Sequence, residues 1–353
     1  MKAPFFTILI DTFNYGQYIE EAIASVLAQD FPAEEREILV VDDGSTDDTP
    51  ERVQKFGEAI RYVRKANGGQ ASAFNFGFEH ARGEVIALLD ADDLWLPEKL
   101  GRVYEAFERH PAAGMVYHRT YLWKGAEETS EDNYFIPVSG NVPENRRALL
   151  RYPMVGTSCL AFRRNALKEL LPVPEVLRSQ ADAYLTALII FVAPVAALPE
   201  FLGKYRLHGA NLFQVSEGRI SRSQVEHRMA MRAGLLTCIQ DWLAKHGQAT
   251  GSRDLRAYLK QWTKAQERDG FALNAPSRWK YFEHLIEFPQ IYGEIMTGRH
   301  RVNSYVRAFA ALFLGYHHLH LLDYVRVRRK RLLSSSAEKS EAAEKEKVLA
   351  AKS

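Results

Sequence analysis

The stretch VIALLDADDLW, residues 85–95, raises the question from which the rest of the chain can be interpreted. Five apolar residues, a pattern typical of a buried β-strand, run directly into Asp90, Asp92 and Asp93. Carboxylates this close together repel one another, which raises the free energy of their charged forms. The stretch therefore predicts either an acidic loop turned towards solvent or a site that receives positive charge.

The composition is that of a globular protein. The chain has 353 residues, 46% of them hydrophobic and 25% charged, enough for one large or two modest domains with a sizeable core. The formal net charge of +2 gives no reason to expect a nucleic-acid partner. Cys159 and Cys238 lie far apart and match no metal-binding spacing, which fits a reducing compartment.

The sequence predicts neither a signal peptide nor a membrane span. The first ten residues contain one Lys, and their apolar run is too short for a signal peptide. The longest apolar stretch, residues 183–198, is shorter than a membrane span, and Pro194 interrupts it. We therefore expect a cytoplasmic protein, with peripheral attachment to the inner face of the membrane as an alternative.

Strand and helix patterns alternate in the first third of the chain. The predicted strands are 5–10, 37–41, 60–63, 85–89 and 114–118. The predicted helices are 18–29, 70–81, 97–110 and a short one that begins at Pro50 with Thr49 as its cap. Such alternation predicts a mostly parallel sheet with helices on both faces.

The pattern changes after residue 118. Residues 119–155 are rich in loops and acidic residues, and 157–164 and 201–211 have strand character on either side of a helix at 179–191. Residues 225–331 are mainly helical by pattern, with Trp242, Trp262 and Trp279 as expected packing residues. Residues 334–353 form a charged segment of low complexity, which predicts disorder or a solvated helix.

Four polar clusters follow the predicted strands. They are DTFN at 11–14, DDGS at 42–45, NGG at 67–69 and DADD at 90–93. Because ligands of such sheets bind beyond the carboxyl ends of the strands, the clusters should converge on one rim. Carboxylates suit Mg²⁺, which completes its shell with water and substrate phosphates. The alternative is an acidic turn that caps the next helix, and Asp93, whose role is the least defined of the three, could be its cap.

The first hundred residues resemble the family 2 glycosyltransferases, which are inverting enzymes with a GT-A fold. The matching stretches are ILIDTFNYGQYIEEAIASVLAQ, ILVVDDGSTDDT and NGGQASAFNFGFEHARGEVIALLDADDLWLPEKL. A thinner match covers LRSQADAYLTALI and YRLHGAN. The chain departs from the family at Asp11, where Pro is more usual, a change expected to alter the stiffness of the turn.

The resemblance implies a role for each matching residue in the donor site. Thr12 and the backbone near Phe13 would lie against the nucleobase and ribose, Asp42 would accept a hydrogen bond from the base, and Asp43 would support that loop. Asn67, Gly68 and Gly69 would let the backbone approach the nucleotide, unless they form an ordinary turn. Asp90 would contact the ribose or the metal's water shell, and Asp92 would bind Mg²⁺ or Mn²⁺ directly.

An inverting transfer also needs a general base for the acceptor hydroxyl. Asp182 is the candidate, and the alternative is an acidic residue in the first turn of a helix, where the dipole favours it. Glu175 is the fallback. His208 matches a family residue near the metal and diphosphate, with a structural role as the alternative, and Arg206 could pair with the diphosphate or with a site carboxylate.

The resemblance implies a division of the chain. Residues 1–220 would be a catalytic domain with a nucleotide-sugar half (1–118) and an acceptor half (119–220), followed by a helical region (221–333) and a tail. The implied function is metal-dependent hexosyl-type transfer from a nucleoside-diphosphate sugar to a glycan or lipid-linked acceptor, in polysaccharide or glycoconjugate synthesis.

Other interpretations stay open at this point. One is a non-catalytic protein that binds sugar nucleotides or glycans, and another is a metal-dependent phosphate enzyme such as a phosphatase. The segment 309–333 mixes aromatic residues and Leu with a basic end, so it could lie on an anionic membrane or pack on the catalytic domain.

Overall fold

The computed structural model describes residues 3–124, 127–129, 137–150, 155–208, 211, 221–248, 253–292, 296–316 and 318–319. The chain folds into two compact units. The first is Met1–Gly270 with Glu294–Thr297, and the second is Phe271–Gly293 with Gly298–Ser353. The predicted domain boundary at residue 220 therefore remains a prediction, and the tail at 334–353 lies outside the described residues.

The secondary structure follows the predicted alternation. The strands are β1 (Phe6–Thr12), β2 (Arg36–Asp42), β3 (Arg61–Arg64), β4 (Val85–Asp90), β5 (Leu94–Trp95), β6 (Met115–Lys124), β7 (Glu127–Thr129), β8 (Leu160–Arg163) and β9 (Val195–Arg206). The helices are α1 (Gly16–Leu27), α2 (Thr49–Gln54), α3 (Gln70–His80), α4 (Lys99–Arg109), α5 (Val142–Leu149), α6 (Arg164–Leu167), α7 (Ala181–Val192), α8 (Arg222–Lys245), α9 (Arg253–Leu273) and α10 (Arg278–Tyr292). Residues 298–316 are also helical.

In the part of the chain that the structure describes, the nine strands form one sheet. Their order is β3-β2-β1-β4-β8-β6-β9-β5, with β7 beside β6. The first four strands of this order are parallel, whereas β8 runs antiparallel to both β4 and β6. The α/β fold class is therefore as predicted, with the parallel part confined to the nucleotide half and a mixed sheet beyond it.

The two faces of β1 pack against different helices, which fixes where its last residues point. Ile8 and Ile10 belong to one core cluster with Ile19 and Ile23 of α1. Leu9 faces the other way, and it lies so close to α3 that a Cβ on Gly77 would meet its side chain at 2.5 Å. Because side chains alternate along a strand, Asp11 shares the face of Leu9.

The structure corrects three local predictions. Asp48, not Thr49, is the N-cap residue of α2, and the hydroxyl of Thr49 instead donates to Asp47 at 2.6 Å. Residues 119–124 do not belong to a loop but continue β6, which pairs with β9. Trp279 is not a packing residue, since 61% of its surface is exposed.

Candidate active site

The strand ends of the parallel part bring the polar clusters together, as the sequence predicts. Asp11 of β1 is in register with Asp90 of β4, and Thr12 is in register with Asp42 of β2. In-register neighbours of a sheet point to the same side, so Asp11 and Asp90 share one face of the rim. Their carboxyl groups accordingly interact electrostatically.

The loop at 42–45, here the DDGS loop, is held by its first carboxylate. Asp42 is fully buried, and it accepts hydrogen bonds from the backbone N–H of Ser45 at 2.7 Å and the hydroxyl of Tyr62 at 2.6 Å. Arg64 lies 3.9 Å from the same carboxylate. Asp42 is therefore part of the frame of this loop, whatever it contacts in a ligand.

Asp43 ties the DDGS loop to the NGG turn. Its carboxylate accepts bonds from the Lys65 ammonium at 2.8 Å and from the backbone N–H groups of Gly68 and Gly69 at 2.6–3.1 Å. Asn67 donates from its side chain to the Asp43 carbonyl at 2.9 Å. Gly69 has a φ of +87°, so a side chain there would be strained, and its Cβ would also collide with Arg178.

Thr12 and Phe13 lie at the end of β1, where the resemblance places the nucleobase and ribose. Thr12 is 3% exposed, and its hydroxyl is buried with no hydrogen-bond partner among the described residues. Phe13 is 42% exposed. The next residue, Asn14, has a positive φ of 58° and accepts the backbone N–H of Thr46 at 2.7 Å, which connects this turn to the DDGS loop.

The second acidic loop, at 90–93 and here the DADD loop, gathers three carboxylates. Carboxylate oxygens of Asp90, Asp92 and Asp93 all lie within 4.8 Å of one another. Both oxygens of Asp93 accept hydrogen bonds, from the Ser158 hydroxyl at 2.6 Å and from the Arg206 backbone N–H at 2.9 Å. The expectation that Asp93 caps the following helix is wrong, because α4 has Glu98 as its N-cap residue.

Ser158 makes several hydrogen bonds that hold the DADD loop and the residues that follow it. Its hydroxyl accepts the backbone N–H of Asp90 at 3.1 Å while it donates to Asp93. Its carbonyl accepts the Trp95 indole N–H at 3.0 Å and the Lys99 ammonium at 2.8 Å. Lys99 is fully buried, and burial lowers its pKa well below the ordinary value.

Burial and mutual repulsion act together on the carboxyl groups of this region. Burial, together with the charges of Asp92, Asp182 and Asp43, raises the pKa of Asp11 to about 8. The same two causes raise the pKa of Asp93 to about 8 and that of Asp90 well above its ordinary value. One oxygen of Asp11 is buried without a hydrogen-bond partner among the described residues.

His208 and Arg206 both reach the DADD loop from the end of β9. The Nε2 atom of His208 lies 2.8 Å from Oδ2 of Asp92, and its ring packs 5.0 Å from that of Tyr18. The Arg206 guanidinium donates to the Asp92 carbonyl at 2.7 Å and to Glu21 at 2.8 Å. The carboxylate with which the Arg206 guanidinium pairs is thus that of Glu21, and its expected pairing with a site carboxylate or with the diphosphate stays a prediction.

Asp182 lies in the first turn of α7. Its charge is one of the smaller causes that raise the pKa values of Asp11 and Asp90. Burial raises the pKa of Asp182, while hydrogen bonds from the backbone of Ala183 and the side chain of Thr157 oppose that rise. Glu175, the fallback base, is exposed in the loop before α7.

Three residues of the site were not among the sequence candidates for function. The sequence gives Asp11 no role beyond a place in the DTFN cluster and an effect on the stiffness of the turn. Tyr15 is affected by the acidic rim: burial raises the pKa of its phenol, and the negative charges of Asp92 and Asp90 raise it further. Gln180, the N-cap residue of α7, has a φ of +69°, and both polar atoms of its amide are buried without a partner among the described residues. Strain of this kind costs about 1–3 kcal/mol and is visible only in a structure.

The DADD loop has the chemistry of a divalent-cation site. Its carboxylates are the ligand type that Mg²⁺ and Mn²⁺ prefer, and a cation between them would relieve the repulsion that contributes to the raised pKa values of Asp90 and Asp93. Because both oxygens of Asp93 are already hydrogen-bonded within the protein, Asp90 and Asp92 are the better candidate ligands. His208 lies against Asp92, where it can orient that carboxylate.

Comparison with solved structures shows which known fold the chain adopts. The structure of S. aureus TarS 1-349 in complex with UDP-GlcNAc matches with a TM-score of 0.57 at 20% identity, covering 89% of this chain and 90% of that chain. TarS 1-349 in complex with UDP matches with the same TM-score at 18% identity, covering 88% and 92% of the two chains. The fold is the predicted GT-A fold.

Comparison of sequences then gives the family. Residues 7–171 match the model of glycosyl transferase family 2, which confirms the resemblance over this part of the chain. An uncharacterised glycosyltransferase of Nostoc sp. is 36% identical over 221 residues, 58% of this chain and 65% of the relative. An uncharacterised protein of Mycobacterium bovis is 29% identical over 217 residues, 59% and 60% of the two chains. The chain thus spans less than two thirds of the length of these curated relatives.

Proposed function

We propose that the chain is an inverting glycosyltransferase that moves a sugar from a nucleoside-diphosphate sugar to an acceptor hydroxyl. The observation that carries this proposal is the in-register placement of Asp11 and Asp90, beside Asp92 and Asp93, in a chain whose residues 7–171 match the family 2 model. The alternative of a phosphatase would leave the hydrogen-bonded DDGS loop and the distant Asp182 without a role.

The DADD loop would hold a divalent cation and the diphosphate of the donor. When bound, the cation would act as a Lewis acid that stabilises the negative charge gathering on the leaving diphosphate. Asp90 and Asp92 would be its protein ligands, and His208 would hold Asp92 in place. Arg206 would act on the diphosphate mainly by fixing the position of the DADD loop, because its guanidinium already binds Asp92 and Glu21.

The DDGS loop and the NGG turn would form the nucleotide side. Asp43 holds the backbone of Gly68 and Gly69, so that the turn is ready for the close approach of a nucleotide. Asp42 remains our candidate for the base edge, since each carboxylate oxygen has two lone pairs and can accept a second bond. Thr12 and Phe13 would contact the base and ribose from β1.

Asp182 would be the general base. It would accept the proton of the acceptor hydroxyl as the oxygen attacks the anomeric carbon from the face opposite the diphosphate. Its raised pKa favours this role, because a base is most effective when its pKa lies near the working pH. Inversion follows from a single displacement of this kind.

The acceptor would be the hydroxyl group of a glycan or of a lipid-linked sugar, in polysaccharide or glycoconjugate synthesis. Among the described helices, none is both long and apolar enough to cross a bilayer. Peripheral attachment through 309–333 remains a separate proposal, since only 309–316 and 318–319 of that segment are described.

The test is a thermal-shift screen of UDP-, GDP-, dTDP- and CDP-sugars with Mg²⁺ or Mn²⁺. TarS, which shares the fold, was solved with UDP-GlcNAc, so that donor is the first to test. A ligand that binds only the folded state raises the melting temperature by mass action. We expect one donor to do so in a metal-dependent way and the released sugar to carry the inverted anomeric configuration. Stabilisation without transfer or hydrolysis by any donor would instead support a binding protein.

A further inference from the structure

The second compact unit presents an apolar surface to solvent. Val302, Val306, Phe309 and Phe313 of the helix at 298–316 are between 54% and 77% exposed. Their spacing of four, three and four residues places them within an arc of roughly 60° at 100° per residue. They therefore form one continuous stripe along the helix.

This stripe lies opposite the side on which the helix packs. Ala311 is fully buried, and it belongs to a small core with Phe271, Tyr281 and Leu319. At 100° per residue, Ala311 lies about 180° from Val302 around the helix axis. The helix thus already has a packed face within its own unit, and the stripe is a second apolar face.

Aromatic rings extend the stripe onto α10. The Phe309 ring lies 5.5 Å from that of Phe282, which in turn lies 5.4 Å from the exposed indole of Trp279. Scattered single apolar residues on a surface are ordinary, but a contiguous patch of this kind marks an interaction site. We name the set Trp279, Phe282, Val302, Val306, Phe309 and Phe313 the aromatic face.

Most of the charged residues that border the aromatic face are basic, and an acidic one, Glu283, accepts the Trp279 indole N–H at 2.8 Å. Arg278 and Lys280, on either side of Trp279, are exposed, and so is Arg299 at the start of the helix. Arg278 also lies beside Gly315, near the other end of the stripe. The sequence that follows the helix contains Arg326, Arg328, Arg329, Lys330 and Arg331. Trp at such a boundary is typical of the interface between lipid headgroups and acyl chains.

We propose that the aromatic face is a membrane-contacting surface that inserts its side chains between the headgroups of anionic lipids. The charge of its border selects this occupant, because anionic lipid attracts cationic side chains at about 1 kcal/mol for each Lys or Arg near the surface. A second copy of the chain would bring two cationic borders together. The surface belongs to the second unit, so it stands or falls independently of the proposed reaction.

The experiment is co-sedimentation of the full chain with vesicles of phosphatidylcholine alone or with 30% phosphatidylglycerol, at low and at high salt. We expect binding to the anionic vesicles that weakens at high salt, and little binding to phosphatidylcholine alone. The double variant Phe309→Ser/Phe313→Ser should lower the partition coefficient at least about tenfold, since each Phe contributes apolar area to the bilayer. Val176→Ser is the matched control, because Val176 is 73% exposed but belongs to the first unit.

The outcomes separate the possible occupants. Equal binding of the wild type and the double variant would overturn the proposal, as would binding that ignores lipid charge and salt. A wild type that stays off vesicles and sediments as a dimer, with a monomeric double variant, would assign the face to a second copy. Since the substituted side chains are exposed, the double variant should keep the wild-type melting temperature; if it does not, Trp279→Ser and Val306→Ser provide the same test at other positions.

Discussion

The two acidic loops of the rim differ in how their carboxylates are satisfied. In the DDGS loop, Asp42 and Asp43 accept hydrogen bonds of 2.6–3.1 Å from Ser45, Tyr62, Lys65, Gly68 and Gly69. In the DADD loop, Asp90 and Asp93 lie beside other carboxylates, and their pKa values are raised. The DDGS carboxylates are held by several hydrogen bonds and by Lys65, whereas the DADD carboxylates also repel one another, although Asp93 accepts two hydrogen bonds.

This difference answers the question that the stretch at 85–95 raises. The DDGS loop uses its carboxylates to hold its own backbone and the NGG turn, and their removal should damage the shape of this region. The DADD loop keeps carboxylates that are costly to the folded protein, which is expected where function rather than stability determines the sequence. Substitutions in the two loops should therefore have opposite effects on stability.

The largest expected effect lies beyond both loops, at Asp182. Asp182→Asn keeps the shape of the side chain but removes the proton acceptor, so sugar transfer should fall at least roughly 10²-fold. Donor binding should change little, because a base acts in the transition state. The measurements are initial rates of transfer, together with calorimetry of donor binding in the presence of metal.

Glu175→Gln is the matched control for Asp182, since it neutralises an exposed carboxylate seven residues away. It should leave transfer at the wild-type rate. Near-normal transfer by Asp182→Asn, with a melting curve like that of the wild type, would exclude Asp182 as the base. Loss of activity in Glu175→Gln instead would move the assignment to Glu175.

The next largest effect is expected at Asp42, in the DDGS loop. Asp42→Ala should weaken donor binding by roughly 1.5–3 kcal/mol, the range for a hydrogen bond to a charged group, whether or not metal is present. It should also lower the stability of the free protein, because Ser45 and Tyr62 lose a buried partner. Calorimetry with the bare nucleoside and with the donor measures the first effect, and chemical unfolding the second.

Tyr62→Phe separates the two roles of Asp42. This variant removes one hydrogen bond from the carboxylate but leaves the carboxylate itself in place. If Asp42 contacts the base, Tyr62→Phe should cost stability and almost no affinity. If the affinity falls as far as in Asp42→Ala, Asp42 acts only through the shape of the loop.

At Asp92 we expect a smaller loss of affinity, which should differ between ligands with and without a diphosphate. Asp92→Asn should weaken binding of a nucleoside diphosphate with Mg²⁺ or Mn²⁺ by about tenfold, which corresponds to about 1.4 kcal/mol. Binding of the bare nucleoside should be nearly unchanged. Equal losses for both ligands, measured by titration calorimetry, would argue against a metal at Asp92.

The sequence predicted more of the fold than of the site, for a physical reason. The strands β1 to β4 and the helices between them follow from local periodicity, and the order of their polar ends follows from the rules of parallel sheets. The partners of the DADD loop do not. Ser158 lies 65 residues from Asp93, and Arg206 lies 113 residues away, distances along the chain that no local pattern encodes.

Trp279 also shows what a local sequence pattern cannot predict, in this case the burial of a side chain. A Trp in a helical pattern is usually a packing residue, and the pattern predicts this role for Trp242 as well as for Trp279. Only the structure separates them, with Trp242 9% exposed and Trp279 61% exposed. Burial depends on which helix faces are covered by other elements, and periodicity does not contain that information.

The smallest expected effect is on stability and tests, at Asp11, the cost of placing several carboxylates close together at the rim. Asp11 has a pKa of about 8 in the folded chain, against an ordinary value of 3.8. Between these pH values the folded protein holds a proton that the unfolded chain releases, so this carboxyl group lowers stability as the pH rises from about 4 to about 8. Asn cannot ionise, and Asp11→Asn should therefore be more stable than the wild type at pH 8 by at least about 1 kcal/mol, and equally stable at pH 4.

Melting temperatures and urea unfolding at pH 4, 6 and 8 measure this difference, with Glu58→Gln as the control because Glu58 is an exposed carboxylate outside the rim. The gain at pH 8 should shrink when Mg²⁺ or Mn²⁺ is added, since a bound cation relieves the same repulsion in the wild type but has less to relieve in the variant. A variant less stable than the wild type at pH 8 without metal would mean that Asp11 has a favourable partner. Repulsion between carboxylates would then lower the stability of the folded protein only at Asp90 and Asp93.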